Sequence, residues 1–490
     1  MQIIVTRLDG AVTVNPAPPY LVDYLQYSHR SFETVNWKRV NKFERRLLFT
    51  PLQDGGIVTL PGFFCKIKEL IARNQDHILE VEARTPLPSI DLARVKKIGL
   101  RDYQVDVVLD FLSKAQHHSG ILNATGGYGK TIMQAVTYAA YHNLNTVLAI
   151  PLKQVFLQTY EKFVKLFPDK HIGRVGDGHR DISPDITIST FKSLKACSLE
   201  KCQLLLVDEI QSTTGDSICD ILTGVQPIRA FGYTATDKNL FNGADKLLKG
   251  LFGDRLVHIE YQEAQDVNAV VPGLVYFVKM RENSPVRGSS FEAKISSGIK
   301  CSDERNKLIG DICAKIPNNW QTIVFVDHVA DHLVRLHKNM PVGTKYVHRD
   351  ASKKSVGAYA LTPKQQKETA ESFSKNQFQY LIATDAFRAG VDVPNCRVVV
   401  QASGGASEVE ILQEAFRGSR TLPEDHRAEL GVEPKTHFVL IDIMDCHDDK
   451  LEAMSLKRKE IYKKQGWKVV DVDSPDQINW FGYEVIPKQL

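Results

Sequence analysis

One octapeptide, ATGGYGKT at residues 124–131, combines three glycines with a lysine and two threonines. Glycine tolerates close backbone approach and unusual dihedral angles, at a cost in conformational entropy. The octapeptide begins at the end of the apolar run GILNA and leads into the helical run TIMQAVTYAAYH. A strand, a glycine-rich loop and a helix in this order are typical of a phosphate-binding loop, where backbone N–H groups and a helix N-terminus hold phosphate oxygens.

This loop predicts a role for each of its residues. Lys130 is expected to reach the β- and γ-phosphates of a nucleotide, and Thr131 is expected to bind Mg²⁺. The residues predicted to surround the phosphates are Thr125, Gly126, Gly127, Tyr128, Gly129, Lys130 and Thr131.

An acidic pair follows a second apolar run in QLLLVDEIQ, where Asp208 and Glu209 come directly after the run. We expect this strand to neighbour the strand before the glycine-rich loop. Asp208 would then hold Mg²⁺, mostly through water, and Glu209 would orient and polarise the attacking water. Together the two motifs predict hydrolysis of a nucleoside triphosphate, with Mg²⁺ as a cofactor; the choice of ATP follows from the resemblance given below.

The elements that must position these residues alternate between apolar strands and helical patterns. Continuous apolar strands between helices favour parallel sheets covered on both faces, so the chain is predicted to be α/β with two lobes. The runs are GILNA (120–124), TVLAI (146–150), DITIS (185–189), QLLLV (203–207), RAFGY (229–233), TIVFV (322–326), KYV (345–347), QYLIA (379–383), RVVVQ (397–401) and HFVLI (437–441).

Turn residues and strand length predict four segments. A small α+β accessory domain at residues 1–95 precedes a first lobe at 96–270, a second lobe at 271–460 and a C-terminal tail at 461–490. The accessory domain places Phe32, Trp37 and Phe43 among basic residues. These aromatic side chains either stack on nucleic acid while the cations pair with phosphates, or fill a small core beneath solvated charges.

Length and composition limit the class of protein and the partners that can be expected. The chain has 490 residues, 43% of them hydrophobic, and a formal net charge of +4. This weakly basic total neither requires nor excludes a polyanionic partner. Eight scattered cysteines without a CxxC spacing predict reduced thiols, and no run approaches the roughly 18 apolar residues of a membrane span. We therefore expect a soluble, cytoplasmic protein that has no membrane partner.

A run in the second half, ILQEAFRGSR at 411–420, is predicted to be helical. Gln413, Arg417 and Arg420 are spaced by four and three residues and would share one face. Two arginines on one helix face are often only solvated. If the two lobes face each other, however, such an arginine could meet the γ-phosphate and stabilise the transition state.

These motifs, taken in order, resemble those of the superfamily-2 helicases and translocases over residues 96–465. The resemblance implies two tandem RecA-like lobes. The matching segments are GLRDYQ (99–104), ATGGYGKT, PLKQVFLQTY (151–160), ISTFKSL (188–194), DEIQ (208–211), GYTATD (232–237), TIVFVDHVADHL (322–333), IATDAFRAGVDVP (382–394) and QEAFRGSR (413–420).

The resemblance also implies functions for residues outside the glycine-rich loop. Gln104 would contact adenine, Gly390 and Asp392 would lie near the nucleotide, and Gln413, Arg417 and Arg420 would act in hydrolysis. The remaining implied residues are Lys153, Ser189, Thr190 and Thr384 for the nucleic-acid backbone, and Gln211, Thr234 and Thr236 for coupling the ATP site to the strand. The chain departs from the common patterns at Gln211, Asp237 and Phe416, where many relatives carry histidine, proline and glycine.

A narrower resemblance is to phage-type DNA helicases that remodel forks and migrate branches. It rests on TLPGFFCKIKELI before GLRDYQ and on HDDKLEAMSLKRKEIYKKQGW near the end. It implies forked or branched DNA as the partner, translocation from 3′ to 5′ and a monomer as the working unit, in the host-cell cytoplasm if the chain is of phage origin. A double-stranded DNA translocase, an RNA helicase and a nucleotide-gated binding protein without turnover stay open as alternatives.

Overall fold

The computed structural model describes residues 1–35, 38–214, 216–235, 245–280, 284–348, 356–384, 393, 395–422 and 424–482. The chain divides into two compact units. The first comprises Met1–Thr125 and Gly129–Ile259, and the second comprises Gly126–Tyr128 and Glu260–Leu490. Each unit is described separately below.

The first unit opens with a five-stranded sheet of order β5-β6-β2-β1-β7 and a separate two-stranded sheet, β3-β4. Strands β3 and β4 pair with each other over ten residues and with no other described strand. The elements are β1 (Gln2–Leu8), β2 (Ala11–Asn15), α1 (Pro19–Tyr24), β3 (Gln26–Val35), β4 (Lys38–Leu47), β5 (Phe49–Pro51), β6 (Ile57–Thr59), α2 (Phe64–Arg73) and β7 (His77–Glu82).

An eight-stranded sheet of order β11-β10-β12-β9-β13-β14-β8-β15 forms the rest of this unit, and every pair is parallel except β10 with β11. The elements are α3 (Leu92–Lys96), α4 (Asp102–Ala115), β8 (Gly120–Ala124), α5 (Lys130–Ala140), β9 (Thr146–Ile150), α6 (Lys153–Leu166), β10 (Ile172–Gly176), β11 (His179–Asp181), β12 (Ile186–Thr190), β13 (Leu204–Asp208), α7 (Asp216–Thr223), β14 (Arg229–Thr234), α8 (Asp245–Phe252) and β15 (Arg255–Ile259).

The N-terminal elements and the eight-stranded sheet share one hydrophobic core. Buried residues from both, such as Phe63 and Phe252, belong to a single cluster. A Cβ atom on Gly62 would lie 2.1 Å from the Lys249 carbonyl oxygen, so only glycine fits against α8 at this point. Lys246 adds a polar contact, because its Nζ donates to the Gln26 carbonyl oxygen at 3.0 Å.

The second unit is built on a seven-stranded, wholly parallel sheet of order β18-β19-β17-β20-β21-β16-β22. Its described elements are α9 (Tyr261–Asp266), β16 (Gly273–Lys279), α10 (Phe291–Ile295), α11 (Asp303–Cys313), β17 (Thr322–Phe325), α12 (Val334–His337), β18 (Lys345–Val347), α13 (Pro363–Ser374), β19 (Tyr380–Ala383), β20 (Val398–Gln401), α14 (Glu408–Ser419), α15 (Glu424–Leu430), β21 (Phe438–Met444), α16 (Asp449–Lys464) and β22 (Lys468–Val472).

All ten apolar runs predicted as strands are strands, with boundaries that differ by a few residues at most. The segment predicted as a C-terminal tail differs from the prediction. Helix α16 continues to Lys464, and β22 pairs in parallel with β16 as an edge strand of the sheet. Residues 461–482 therefore belong to the fold of the second unit. This unit begins at Glu260, before the predicted start of the second lobe at residue 271.

Two fully buried arginines hold the segment that leads into α14. Arg305 donates to Asp445 at 2.7 Å and to the Ala402 carbonyl oxygen at 2.7 Å. Arg458, on the basic helix α16, donates to Asp442 at 2.8 Å and to the Gly404 carbonyl oxygen at 2.9 Å. Removing either partner would leave a buried charge uncompensated, so these pairs fix the 402–404 segment strongly.

Candidate functional site

The glycine-rich loop connects β8 to α5, as its sequence predicts. Gly127 has a φ of 95° and Gly129 a φ of 109°, both in the left-handed region that favours glycine. Gly129 directly precedes α5, so the first turn of the helix starts at Lys130. The free backbone N–H groups of that turn are the groups that bind phosphate in loops of this geometry.

Gln104 lies against this loop within the first unit. Its side-chain Oε1 accepts a hydrogen bond from the Arg101 backbone N–H at 3.1 Å, which fixes the orientation of the carboxamide. A Cβ atom on Gly129 would come within 2.7 Å of the Gln104 Nε2 atom. The predicted adenine-contact residue is therefore held beside the loop with its donor group directed toward it.

The acidic pair lies at the carboxyl end of β13, but β13 does not neighbour β8. Strand β14 lies between them in the sheet, which corrects our expectation of adjacent strands. Because β14 ends at Thr234, this threonine lies between the two strands that carry the glycine-rich loop and the acidic pair. The strand order therefore brings the glycine-rich loop, the acidic pair and Thr234 together at the carboxyl ends of neighbouring strands.

A polar chain connects these motifs. Lys130 Nζ lies 3.5 Å from Glu209 Oε1. Gln211 Nε2 donates to Glu209 Oε2 at 2.6 Å, and Thr234 Oγ1 donates to Gln211 Oε1 at 2.6 Å. Glu209 has a φ of 47°, an uncommon conformation for a residue with a side chain. We call Lys130, Glu209, Gln211 and Thr234 the polar relay.

Asp208 is buried, and its Oδ1 atom has no hydrogen-bond partner. Burial, together with the neighbouring charge of Glu209, raises the pKa of Asp208 to about 7, while Lys130 acts in the opposite direction. A buried carboxylate oxygen that lacks a donor is a suitable ligand for a hard divalent cation. The donor set of Asp208 and Thr131 therefore fits Mg²⁺.

Gln134 was not predicted as a site residue, and it is fully buried on α5 one turn after Lys130. Its carboxamide favours the charged form of Asp208. The signal was present in the sequence, because a glutamine interrupts the apolar run TIMQAV four residues after the lysine. Thr125 is also buried, and its Oγ1 has no hydrogen-bond partner.

In the second unit, α14 carries Gln413 and Arg417 but ends at Ser419. Arg420 follows in an extended conformation and forms an antiparallel bridge with Val270, so it does not continue the helix face as predicted. Arg417 is buried and Gln413 is half-buried. Within this unit Gly126 lies so close to Phe416 that a Cβ atom would come within 2.6 Å of the ring.

The residues predicted to contact nucleic acid differ in how exposed their side chains are. Lys153 is exposed and forms an ion pair with Asp177. Ser189 is fully buried and its hydroxyl donates to the Thr190 carbonyl oxygen, which is inconsistent with a direct contact from the Ser189 side chain. Thr190 and Thr384 lie at or directly after the ends of β12 and β19, and both are largely buried.

Three predicted residues lie outside the described part of the chain. They are Thr236, Gly390 and Asp392. Their predicted contacts stay predictions.

Comparison with known proteins supports the same reading of the motifs. A family model described as the res subunit of type III restriction enzymes matches residues 97–239, and one described as the helicase conserved C-terminal domain matches residues 304–421. A protein of Sulfolobus islandicus filamentous virus (isolate Iceland/Hveragerdi), described as candidate helicase 22, is 21% identical over 423 residues. The match covers 79% of this chain and 72% of that protein.

Two solved structures are similar at low sequence identity. S. cerevisiae Dbp5 bound to RNA and ADP BeF3 has a TM-score of 0.51 and 14% identity, covering 77% of this chain and 95% of that chain. The ATP-dependent type ISP restriction-modification enzyme LlaBIII bound to DNA has a TM-score of 0.53 and 14% identity, covering 77% of this chain and 32% of that chain. At these identities the likeness concerns the fold.

The structure has two RecA-like lobes, and the first carries a phosphate-binding loop linked to an acidic pair, as expected for a nucleotide-hydrolysing enzyme of the helicase type. The chain is a superfamily-2 helicase, an ATPase of the helicase type that acts on nucleic acid. Among the described residues, each helix is too short or too polar to cross a lipid bilayer.

Proposed function

We propose that this chain is an ATP-dependent DNA helicase that translocates on DNA and unwinds or branch-migrates forked and branched substrates. The polar relay is the observation that carries the proposal. It joins the lysine of the phosphate loop to the acidic pair and to the third motif by contacts of 3.5, 2.6 and 2.6 Å. A change in contact at the phosphate can therefore alter hydrogen bonding at Thr234, at the end of β14.

At the hydrolysis site each described residue has a defined part. Gln104 would donate to the adenine ring, and the loop backbone with Lys130 would hold the phosphates. Asp208 and Thr131 would hold Mg²⁺, which neutralises developing charge on phosphoryl oxygens when bound. Glu209 would accept a proton from the attacking water, and Gln211 would hold that carboxylate in position.

The second lobe would supply the cations that stabilise the transition state. Arg417 and Arg420 would contact the γ-phosphate with ATP bound between the lobes, and Gln413 would assist them. Gly390 and Asp392 would lie near the nucleotide. Lobe closure on ATP and opening after hydrolysis would convert chemistry into stepwise movement along a strand.

The β3-β4 ribbon supports nucleic acid as the partner. Its strands carry six basic residues, Arg30, Lys38, Arg39, Lys42, Arg45 and Arg46, against two glutamates. Phe43 is 64% exposed, so this aromatic side chain does not fill a core, whereas the side chains of Phe32 and Trp37 lie outside the described residues. An exposed aromatic ring among cations suits base stacking and phosphate pairing.

The dimensions of the ribbon favour DNA over RNA. Ten residues per strand extend about 33 Å at roughly 3.3 Å per residue. A two-stranded ribbon fits the major groove of B-form DNA, whereas the deep, narrow major groove of A-form RNA excludes it. Lys153, Thr190 and Thr384 would contact the backbone of the tracked strand, where phosphate contacts position the motor without reading sequence.

A double-stranded DNA translocase and an RNA helicase are the alternatives, because all three classes use the same hydrolysis motifs. A panel of single-stranded, duplex, forked and four-way DNA, with matched RNA, tests them through stimulated phosphate release. Strand displacement on forked DNA runs beside triplex displacement, with Glu209→Gln as the inactive control. We expect forked or four-way DNA to stimulate most and forks to be separated. Triplex displacement with intact forks would favour the translocase, and greater stimulation by RNA would favour the RNA helicase.

A further inference from the structure

A cavity of about 190 Å³ lies between the N-terminal sheet and the eight-stranded sheet, inside the first unit. Most of its wall is apolar. Leu8, Val12 and Phe64 line it from the N-terminal side, and Leu222, Val225 and Phe252 line it from the other side. Engineered apolar cavities of about 150 Å³ bind benzene, so this volume is enough for a ligand of one or two rings.

The cavity walls are fixed by close backbone contacts. Gly10 lies so near Gln226 that a Cβ atom would come within 2.4 Å of the Gln226 Cα atom. Gly62 makes a similar approach to α8, and Gly10 and Gly62 both line the cavity. Because the backbone is closely packed at both glycines, the space is a defined feature of the interface and not a loose gap.

One part of the cavity wall is cationic. Arg7 and Arg84 line it beside His118, which is neutral because burial lowers its pKa, and the lining carboxylate of Asp254 is paired with Lys249 at 2.8 Å. The guanidinium groups of Arg7 and Arg84 share one carboxylate, that of Glu82, at 3.2 and 2.6 Å, and both also donate to the His117 carbonyl oxygen. The Arg7 guanidinium is further held over the Phe64 ring at 4.1 Å.

A third guanidinium adds to this positive charge. Arg229 lies on β14 between Ile228 and Ala230, which both line the cavity. Its side chain is buried and donates to the neutral carbonyl oxygens of Ile228 and Gln116, both at 2.8 Å, while its Nε atom has no hydrogen-bond partner. Burial, followed by the charges of Arg84 and Arg7, lowers the pKa of Arg229 to about 10, and the same influences lower the pKa of His118. The charges here are therefore incompletely balanced.

We infer that this cavity binds a small organic anion that has a compact, ring-sized apolar body and one acidic head group. The apolar wall would cover the body, and Arg7 and Arg84 would receive the head group as a second anion beside Glu82. A charge-assisted pair with a planar guanidinium suits a carboxylate, sulfonate or phosphate. This site is separate from the hydrolysis site and does not depend on the proposed function.

The test uses the full chain and three probes, each titrated by isothermal calorimetry. The first is 2-naphthalenesulfonate, the second is 2-naphthylmethanol, which has the rings without the charge, and the third is methanesulfonate, which has the charge without the rings. We expect the first probe to bind at least tenfold more tightly than either of the others. Equal binding of the neutral alcohol would overturn the anionic assignment, and an absence of binding by the first probe would overturn the site.

Variants locate the binding. Arg84→Gln should weaken naphthalenesulfonate binding at least tenfold, whereas Arg73→Gln, the same change on the exposed side of α2, should leave the affinity unchanged. Leu222→Trp fills the cavity and should abolish binding. Equal effects of the two arginine variants would overturn the location.

A second measurement covers the case in which the tryptophan variant does not fold. Cys65 is an exposed free thiol that lines the cavity. Naphthalenesulfonate should slow its alkylation by iodoacetamide at least fivefold in the wild-type protein, as read from peptide masses, and methanesulfonate should not. Unchanged alkylation of Cys65 at saturating naphthalenesulfonate would also refute the site.

Discussion

Replacing Gln211 by leucine should slow ATP hydrolysis without weakening ATP binding. Leucine has a similar length but neither donates to Glu209 nor accepts from Thr234, which are both 2.6 Å from the glutamine side chain. A hydrogen bond to a charged group contributes roughly 1.5–3 kcal/mol. If the hydrogen bond stabilises mainly the transition state, its loss raises the activation free energy by about 2 kcal/mol, which corresponds to a decrease in kcat of roughly thirtyfold.

The histidine variant Gln211→His sharpens the prediction. Neutral imidazole has one donor and one acceptor and can replace both hydrogen bonds, but imidazolium has two donors and cannot accept from Thr234. We therefore expect kcat close to the wild-type value at pH 8 and a progressive loss as the pH falls through about 6.5. The wild-type glutamine does not titrate, so the loss of kcat below pH 6.5 should be steeper in the variant than in the wild type, where protonation of Asp208, with a pKa of about 7, already contributes.

The assay is DNA-stimulated phosphate release from pH 5.5 to 8.5, with ATP affinity measured separately by a fluorescent nucleotide. Gln203→Leu serves as the matched control, because Gln203 precedes β13 at the end away from the acidic pair and its side chain accepts from the Asn145 backbone. A kcat of Gln211→Leu within twofold of wild type would refute the reasoning. An equal loss of ATP affinity would show that Gln211 acts in binding instead.

Four further predictions concern other parts of the chain. Lys130→Ala should abolish turnover and leave DNA affinity, measured by fluorescence anisotropy, nearly unchanged; turnover above a tenth of wild type would contradict its phosphate role. Arg420→Ala should lower kcat at least a hundredfold with less than a fivefold change in ATP affinity, and an equal decrease in both would count against transition-state contact. Phe43→Ala should weaken binding of forked DNA about five- to thirtyfold, by loss of about 1–2 kcal/mol of stacking, while basal ATPase activity stays constant. His332 is fully buried with both ring nitrogens unpartnered, and burial, with the charges of Arg305 and Lys300, lowers its pKa well below 6.5. Only the unfolded state is protonated at His332 just below that pH, so this residue should lower stability by up to about 1.4 kcal/mol per pH unit below pH 6.5, and His332→Leu should reduce the slope in urea unfolding by that amount.

The alternation of apolar strands and helices was enough to predict both parallel sheets, because buried parallel strands are apolar on both faces. The strands that were not predicted are of two kinds. Strand β16 (Gly273–Lys279) is a buried apolar strand inside the sheet that falls at the predicted boundary between the lobes, whereas two others have a weaker pattern. Strand β15 (Arg255–Ile259) includes a charged and a histidine side chain, and β22 (Lys468–Val472) follows a basic helix in a segment taken for a tail. Each lies at the edge of its sheet, where one side is unpaired and hydrophobic pattern is weaker.

For the hydrolysis site, spacing identified the residues but not their mutual contacts. That Asp208 and Glu209 follow a strand can be read locally, whereas the position of β14 between β13 and β8 is a property of sheet order. The burial of Ser189 and the extended conformation of Arg420 likewise depend on packing by elements distant in sequence. Sequence reasoning therefore identified the chemistry of the groups more securely than their accessibility.

The core shared by the N-terminal elements and α8 has a consequence for how this chain can be shortened. A motor trimmed of its first 95 residues would expose Leu247, Leu248 and Leu251 to water and would self-associate unless those positions became polar. Removing only the β3-β4 ribbon would leave these three leucines covered by the N-terminal sheet. The ribbon can therefore be exchanged beyond Tyr27, which packs against this core, whereas the five-stranded sheet cannot be separated from the first lobe.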